Sequence, residues 1–93
     1  MPKSQFTTLG EYLKDRRVRR GLTQKEVSDA FGFTTSQFIS NIERGLAPVP
    51  FKILKVFMKL YGISFEELSD KYIQLQRSIL EASVDIERDR EAI

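Results

Sequence analysis

Cysteine and histidine are both absent from this chain of 93 residues. Without cysteine, the chain can form neither a disulfide nor a thiolate metal site. Without histidine, it lacks the commonest metal ligand, the usual general base and any histidine-activated nucleophile. A glycine-rich phosphate loop is missing as well. The sequence therefore argues against an enzyme, and it predicts no catalytic residue, no metal site and no cofactor.

Long apolar segments are missing too. No run approaches the roughly 20 apolar residues that a membrane-spanning helix needs, and the first ten residues, MPKSQFTTLG, contain no apolar signal-peptide core. We therefore expect a cytoplasmic protein with no membrane contact. A hydrophobic content of 41% over 93 residues supports one modest core, hence one domain with at most an extension.

Charge is distributed unevenly along the chain, although the net charge is only +2. Residues 1–25 carry seven basic and two acidic side chains, whereas residues 64–93 carry four basic and eight acidic ones. A basic body with an acidic tail suggests an anionic partner at one end. Ordinary scatter of surface charge is an equally good explanation at this point.

Start and stop signals divide the chain into five helices and no strand, an all-α fold. Three segments open with Ser/Thr followed three residues later by Glu, the pattern of a capping box. These pairs are Thr8 with Glu11, Thr23 with Glu26, and Ser64 with Glu67. Four glycines fall where a left-handed helix end is expected: Gly21, Gly32, Gly45 and Gly62. Gly10 is the exception, since it lies within the first helical turn.

Helical periodicity gives the approximate bounds and the inward face of each segment. The predicted helices cover about residues 9–20, 24–31, 36–44, 50–61 and a long stretch after residue 64. The residues predicted to face the core are Leu9, Tyr12, Leu13, Val18, Val27, Ala30, Phe31, Ile39, Ile42, Leu54, Phe57, Met58 and Tyr61.

The fifth helix carries an apolar seam at heptad spacing. Its members are Leu68, Tyr72, Leu75, Ile79, Ala82, Ile86 and Ile93, beside a weaker stripe of Ile73, Leu80 and Val84. Such a helix of about 28 residues would be about 42 Å long and would extend past a core of four short helices. We therefore predict a domain of residues 1–70 and an extension of residues 71–93. The extension would dimerise or bind a partner through Tyr72, Leu75, Ile79, Ala82 and Ile86, unless it folds back on its own domain.

The stretch GFTTSQFISNIERG, residues 32–45, has polar side chains on one side of a short helix and Ile39 and Ile42 on the other. Gln37 and Asn41 lie four residues apart and therefore share a face. A side-chain amide can bond N6 and N7 of adenine together, and a serine hydroxyl can reach a base or a phosphate. The predicted base-contacting residues are Ser36, Gln37, Ser40 and Asn41. An ordinary polar surface is the alternative.

Two short helices joined by a glycine-containing turn form a helix-turn-helix, whose second helix can lie in the major groove of DNA. The segments LTQKEVSDAFGF and SQFISNIERG, followed by PFKILKVFMKLYGISFEEL, resemble the lambda-repressor-like, Cro-type (XRE) DNA-binding family over about residues 9–70. Between Gly32 and the third helix, this sequence has one residue more than is usual in the family. Either Thr35 or Ser36 can therefore cap the third helix. Phe38 can pack on the second helix or touch a thymine methyl group.

The resemblance implies a sequence-specific transcriptional regulator, a homodimeric repressor that inserts its third helix in the major groove of an inverted-repeat operator. Double-stranded DNA is the expected partner. The residues expected at DNA phosphates are Gln24, Lys25, Thr35 and Arg44. The resemblance also pairs Arg17 with Glu43 as a structural ion pair. The alternative is an antitoxin-type or other interaction module, whose C-terminal helix binds a partner protein.

Overall fold

Five α-helices form the computed structural model, which describes residues 6–92 and the side chains of residues 6–84. The helices are α1 Leu9–Arg19, α2 Gln24–Phe31, α3 Gln37–Glu43, α4 Phe51–Tyr61 and α5 Phe65–Ala92. The predicted all-α architecture, with five helices and a long last one, is confirmed. No strand occurs within residues 6–92.

The hydrophobic core lies where α1 meets α3 and α4, with α2 and the start of α5 closing its sides. The largest fully buried side chains are Tyr61, Phe57, Leu13, Ile39, Ile42 and Val27. Each of these side chains except Tyr61, whose polar hydroxyl is buried as well, stabilises the fold by roughly 1.5–3 kcal/mol relative to an exposed position. Ile39 and Ile42 belong to α3, so the core holds the inner face of this helix.

Val18 and Ala30 are exposed, so the prediction that they face the core is wrong. The buried face of α1 runs instead through Tyr12, Leu13 and Arg17. Arg17 can be buried because the carboxylate of Glu43 neutralises its charge. The spacing of apolar residues does not predict a buried charged side chain. On α2, the buried position beside Val27 is taken by Ser28.

The predicted capping boxes form to different extents. At the start of α2 both bonds are present: Thr23 Oγ1 accepts from Glu26 N at 3.0 Å, and Glu26 Oε1 accepts from Thr23 N at 2.8 Å. At the start of α1, Thr8 Oγ1 accepts from Glu11 N at 3.0 Å. The Glu11 carboxylate, however, accepts from the backbone N–H of Thr7, one residue before the cap.

Glu67 connects α5 to α1 instead of completing a capping box. Its backbone N–H donates to Ser64 Oγ at 3.1 Å, but its carboxylate accepts from the Tyr12 hydroxyl at 2.5 Å. The same carboxylate lies 3.7 Å from Arg16 Nε. Burial, and then the hydrogen bond to Glu67, raise the pKa of Tyr12, which keeps its hydroxyl a donor. The first turn of α5 is thereby anchored to the domain.

The anchored part of α5 continues to Leu75. Leu68 and Leu75 are buried, and the half-buried Tyr72 places its ring 5.9 Å from that of Phe51. Every side chain of residues 76–84 is exposed. Packing on the domain thus continues past the predicted boundary at residue 70.

The predicted seam of α5 is accordingly divided between two environments. Leu75, predicted to face a partner, packs within its own chain, and Tyr72 is partly occupied in the same way. Ile79 and Ala82 are exposed. Ile86 lies outside the residues whose side chains the structure describes, and Ile93 lies outside the described residues.

Gly10 allows α1 to pass directly against the end of α3. A β-carbon at this position would lie 1.9 Å from the carbonyl oxygen of Ile42 and 3.2 Å from Cα of Glu43. Both are backbone atoms, which cannot turn aside as the end of a side chain could. This contact explains why a glycine lies inside the first helical turn.

Gly10→Ala should therefore destabilise the protein by about 2 kcal/mol or more through the clash with Ile42. Helix propensity alone predicts the opposite sign, a gain of roughly 0.5–1 kcal/mol. Urea unfolding followed by circular dichroism measures the difference. Lys14→Ala, at an exposed position of the same helix, is the control and should stay within about 0.5 kcal/mol of the wild type. A Gly10→Ala protein as stable as the control would contradict this close packing.

Candidate nucleic-acid interface

A row of three polar side chains occupies the outer face of α3. Gln37 Nε2 donates to Asn41 Oδ1 at 2.8 Å, and Arg44 Nη2 donates to the same oxygen at 3.3 Å. We call Gln37, Asn41 and Arg44 the polar row. Ile39 and Ile42, on the opposite side of the helix, are buried to 0% and 1% exposure. The helix is thus held by its apolar side and presents two amides and a guanidinium outward.

The hydroxyl residues lie at the start of α3 and beside the row. Thr35 Oγ1 accepts from Gln37 N at 3.3 Å, whereas the Ser36 side chain makes no capping hydrogen bond. Ser36 therefore occupies the N-cap position of α3, but the hydroxyl that bonds its first turn is that of Thr35. Its own O–H remains able to donate outward, because Thr35 is exposed. Ser36 and Ser40 are half-buried.

Phe38 packs against the turn between α2 and α3. Its ring lies 5.2 Å from that of Phe33 in an edge-to-face arrangement. Phe33 stacks on Phe31 at 5.4 Å, and Phe31 lies 5.1 Å from Phe57 in the core. Of the two alternatives for Phe38, the structure favours packing. The rings connect the long turn to the core and fix the start of α3.

Arg17 and Glu43 form a buried, two-pronged ion pair between α1 and the end of α3. Arg17 Nε donates to Glu43 Oε2 at 2.6 Å, and Nη2 donates to Oε1 at 3.0 Å. The remaining guanidinium nitrogen, Nη1, donates to the Leu22 carbonyl at 2.7 Å. The hydrogen bond to Glu43 raises the pKa of Arg17, although burial opposes the charge.

Gln24 bonds to the same carboxylate from the first turn of α2. Its Nε2 donates to Glu43 Oε1 at 2.9 Å. An amide nitrogen carries two N–H groups, so one remains to donate elsewhere. The first backbone N–H groups of α2 lie beside it, and a helix N-terminus is a favourable place for a phosphate. The neighbouring Lys25 is exposed and forms an ion pair with Asp29, which lies one turn further along α2.

The sequence did not reveal that Gln24 donates to the ion pair, or that the Tyr61 hydroxyl is buried near it without a hydrogen-bond partner among the described residues. Tyr61 was predicted only as a core residue, but its hydroxyl is buried close enough for the charge of Glu43 to act on it. Burial first, and that charge second, raise the pKa of Tyr61. The Gln24–Glu43 bond spans 19 positions, and no local motif signals it.

Glu43→Gln should destabilise the fold by about 3–5 kcal/mol, because it leaves the buried guanidinium of Arg17 without a counter-charge. Urea unfolding again provides the measurement. Glu66→Gln, which neutralises an exposed carboxylate of α5, is the matched control and should have little effect. Replacing both partners by apolar residues, in Arg17→Met with Glu43→Leu, should recover part of the loss. Equal stability of Glu43→Gln and Glu66→Gln would rule out a stabilising role for the pair.

Comparison with known proteins gives a match to one protein family. No curated protein and no solved structure matches the chain significantly. Among the described residues, no helix is long and apolar enough to cross a membrane.

A family model described as helix-turn-helix matches residues 13–68, more than half of the chain, including the polar row and the Arg17–Glu43 pair. The family is a non-enzymatic, DNA-binding domain type. The chain belongs to the helix-turn-helix family, in its lambda-repressor-like (XRE) branch, and is a DNA-binding protein of the transcriptional-regulator type.

Proposed function

We propose that the protein is a homodimeric, sequence-specific repressor that places α3 of each subunit in the major groove of an inverted-repeat operator. The observation that carries this proposal is the polar row on the outer face of α3, whose inner face is fully buried. The second helix of a helix-turn-helix lies in the groove in this orientation, with its first residues at the base edges. Amide groups are suited to those edges, since they combine donor and acceptor.

Two sets of residues would contact the DNA. The proposed base contacts are Ser36, Gln37, Ser40 and Asn41. The proposed phosphate contacts are Gln24, Lys25, Thr35 and Arg44. Support for the second set comes from donors that remain beside the observed bonds: a second N–H on the Gln24 amide, the Thr35 hydroxyl, and further N–H groups of the exposed Lys25 and Arg44.

Dimerisation is proposed to occur through α5 beyond residue 75. Ile79, Leu80 and Val84 are 55%, 63% and 41% exposed, and together with Ala82 they give this part of the helix an apolar surface. An exposed apolar surface of this kind is typical of an interaction site. The proposed extension therefore starts after Leu75, which is committed to its own domain. In such a dimer the two half-sites would lie about 34–36 Å apart, or a multiple of that distance.

Selection of binding sites from random duplex DNA, at two salt concentrations, tests the proposed function directly. Recovery of an inverted repeat, with affinity that falls as salt rises, would support a dimeric operator-binding protein. Failure to enrich any motif, together with salt-independent retention, would refute it. The helix-turn-helix would then serve as a scaffold for protein binding.

Gln37→Ala should weaken binding to the selected site by about 1–3 kcal/mol and relax the base preference at the position that Gln37 itself contacts. The reason is the loss of one amide from the base-reading face. Fluorescence anisotropy with the selected duplex and its single-base variants measures both effects. Lys59→Ala, which removes an exposed cation of α4, is the control and should leave the base preference unchanged. Unchanged affinity in Gln37→Ala would contradict the assignment of α3.

Ile79→Asp should convert the dimer to a monomer, because it places a charge in the proposed apolar interface. Gln74→Asp introduces the same charge on a different face of α5 and should leave the dimer intact. Sedimentation equilibrium distinguishes the two states. A wild-type chain that is monomeric at every concentration would exclude self-association. The apolar surface of α5 would then hold a different protein, as in an antitoxin-type module.

A further inference from the structure

We infer that Asn41 reads DNA as a hydrogen-bond donor only, and that it therefore selects guanine instead of adenine. The inference rests on the proposed function and deepens it, since it concerns the specificity of the same face. It replaces the simple expectation that both amides of α3 read adenine. It also gives Arg44 a second role, the positioning of Asn41.

The orientation of the Asn41 amide follows from its neighbours. Arg44 approaches one terminal atom of Asn41 at 3.3 Å, and a guanidinium can donate but cannot accept. The atom facing it must therefore be the oxygen, Oδ1. Gln37 lies 2.8 Å from the same atom, so the atom of Gln37 that faces it must be its nitrogen. The guanidinium of Arg44, which cannot accept a hydrogen bond, thus fixes the orientation of both amides.

The acceptor capacity of Asn41 is filled by these two bonds. A carbonyl oxygen has two lone pairs, and here Gln37 Nε2 occupies one while Arg44 Nη2 occupies the other. The two N–H groups on Nδ2 remain. Asn41 is half-buried, and no described residue is bonded to these two N–H groups in the hydrogen bonds of α3 given above. Two donors, without an acceptor, are what Asn41 offers to DNA.

The major groove distinguishes the bases by such patterns. The familiar asparagine–adenine contact requires the amide oxygen to accept from N6 while the nitrogen donates to N7. With Oδ1 occupied, the N6 amino group of adenine would face no acceptor. Guanine presents O6 and N7 side by side, and both are acceptors. Two donors therefore match guanine and oppose adenine.

Gln37 keeps one donor and one acceptor for contact with DNA. Its Nε2 spends one N–H on Asn41, which leaves the second N–H and the carbonyl oxygen Oε1. That pair suits the N7 and N6 of adenine. Two side chains of the same chemical class, one turn apart on α3, would thus read different bases.

The experiment is site selection from random duplexes with four proteins: wild type, Asn41→Ala, Arg44→Ala and Arg19→Ala. Asn41→Ala identifies the base position that Asn41 reads, since the preference there should disappear. Arg44→Ala frees one lone pair of Oδ1. Arg19→Ala removes a different exposed arginine, which pairs with Asp15 at 2.8 Å on α1, and is the control for the loss of a charge.

At the Asn41 position, the wild type and Arg19→Ala should prefer guanine over adenine by about tenfold. Arg44→Ala should abolish or reverse this ratio at that position, beyond any uniform loss of affinity from a lost phosphate contact. Where Arg44→Ala binds too weakly for selection, Gln37→Ala frees the other lone pair and should shift the same position. Thermal unfolding of each variant reports whether the fold is intact.

Two results would overturn the inference while leaving the proposed function in place. One is a wild-type motif with adenine at the Asn41 position. The other is a guanine preference that neither Arg44→Ala nor Gln37→Ala alters. A wild-type protein that enriches no motif would overturn the inference and the proposed function together.

Discussion

The buried pair of Arg17 and Glu43 is the interaction on which the rest of this domain depends. Isolated charges inside a protein are costly, and they persist only where their hydrogen-bonding groups are satisfied. Here three guanidinium nitrogens are used, two on Glu43 and one on the Leu22 carbonyl, while Gln24 adds a third donor to the carboxylate. A single ion pair thus fixes α1, the turn that follows it, the start of α2 and the end of α3.

This arrangement explains how a helix of seven residues can hold a defined orientation. Helices shorter than about 12 residues are marginal on their own in water, so α3 depends on its contacts. Ile39 and Ile42 hold its middle, Glu43 holds its last turn, and the Phe38 ring holds its first turn against Phe33. Every element of this support lies behind or beside the polar row. The outer face can therefore vary in sequence without cost to the fold.

Local signals predicted the helices well, because caps and glycine stops act within four residues. The full capping box at Thr23 and the left-handed Gly32 at the end of α2 are examples. These local signals could not predict contacts between residues that lie far apart in the sequence. Glu67 was interpreted as a cap, but it bonds to Tyr12, 55 positions away. Leu75 was assigned to a partner because heptad spacing does not say which chain covers the seam. The shared face of Gln37 and Asn41 was predicted, whereas the contact of Arg44 with Asn41 and the hydrogen-bond directions required coordinates.

Continuity of α5 links the proposed dimer contact to the part of the domain that supports the polar row. The helix is anchored to α1 by the Tyr12–Glu67 bond, and it runs unbroken from Phe65 to Ala92. α1 in turn touches the end of α3, where Gly10 meets the Ile42 carbonyl without room for a β-carbon. No flexible linker separates the proposed dimer contact from α3 along this path. In the proposed dimer, rotation of one α5 against its partner would therefore move α3 with it, and the half-site spacing would be set by the helix pairing and not by the DNA alone.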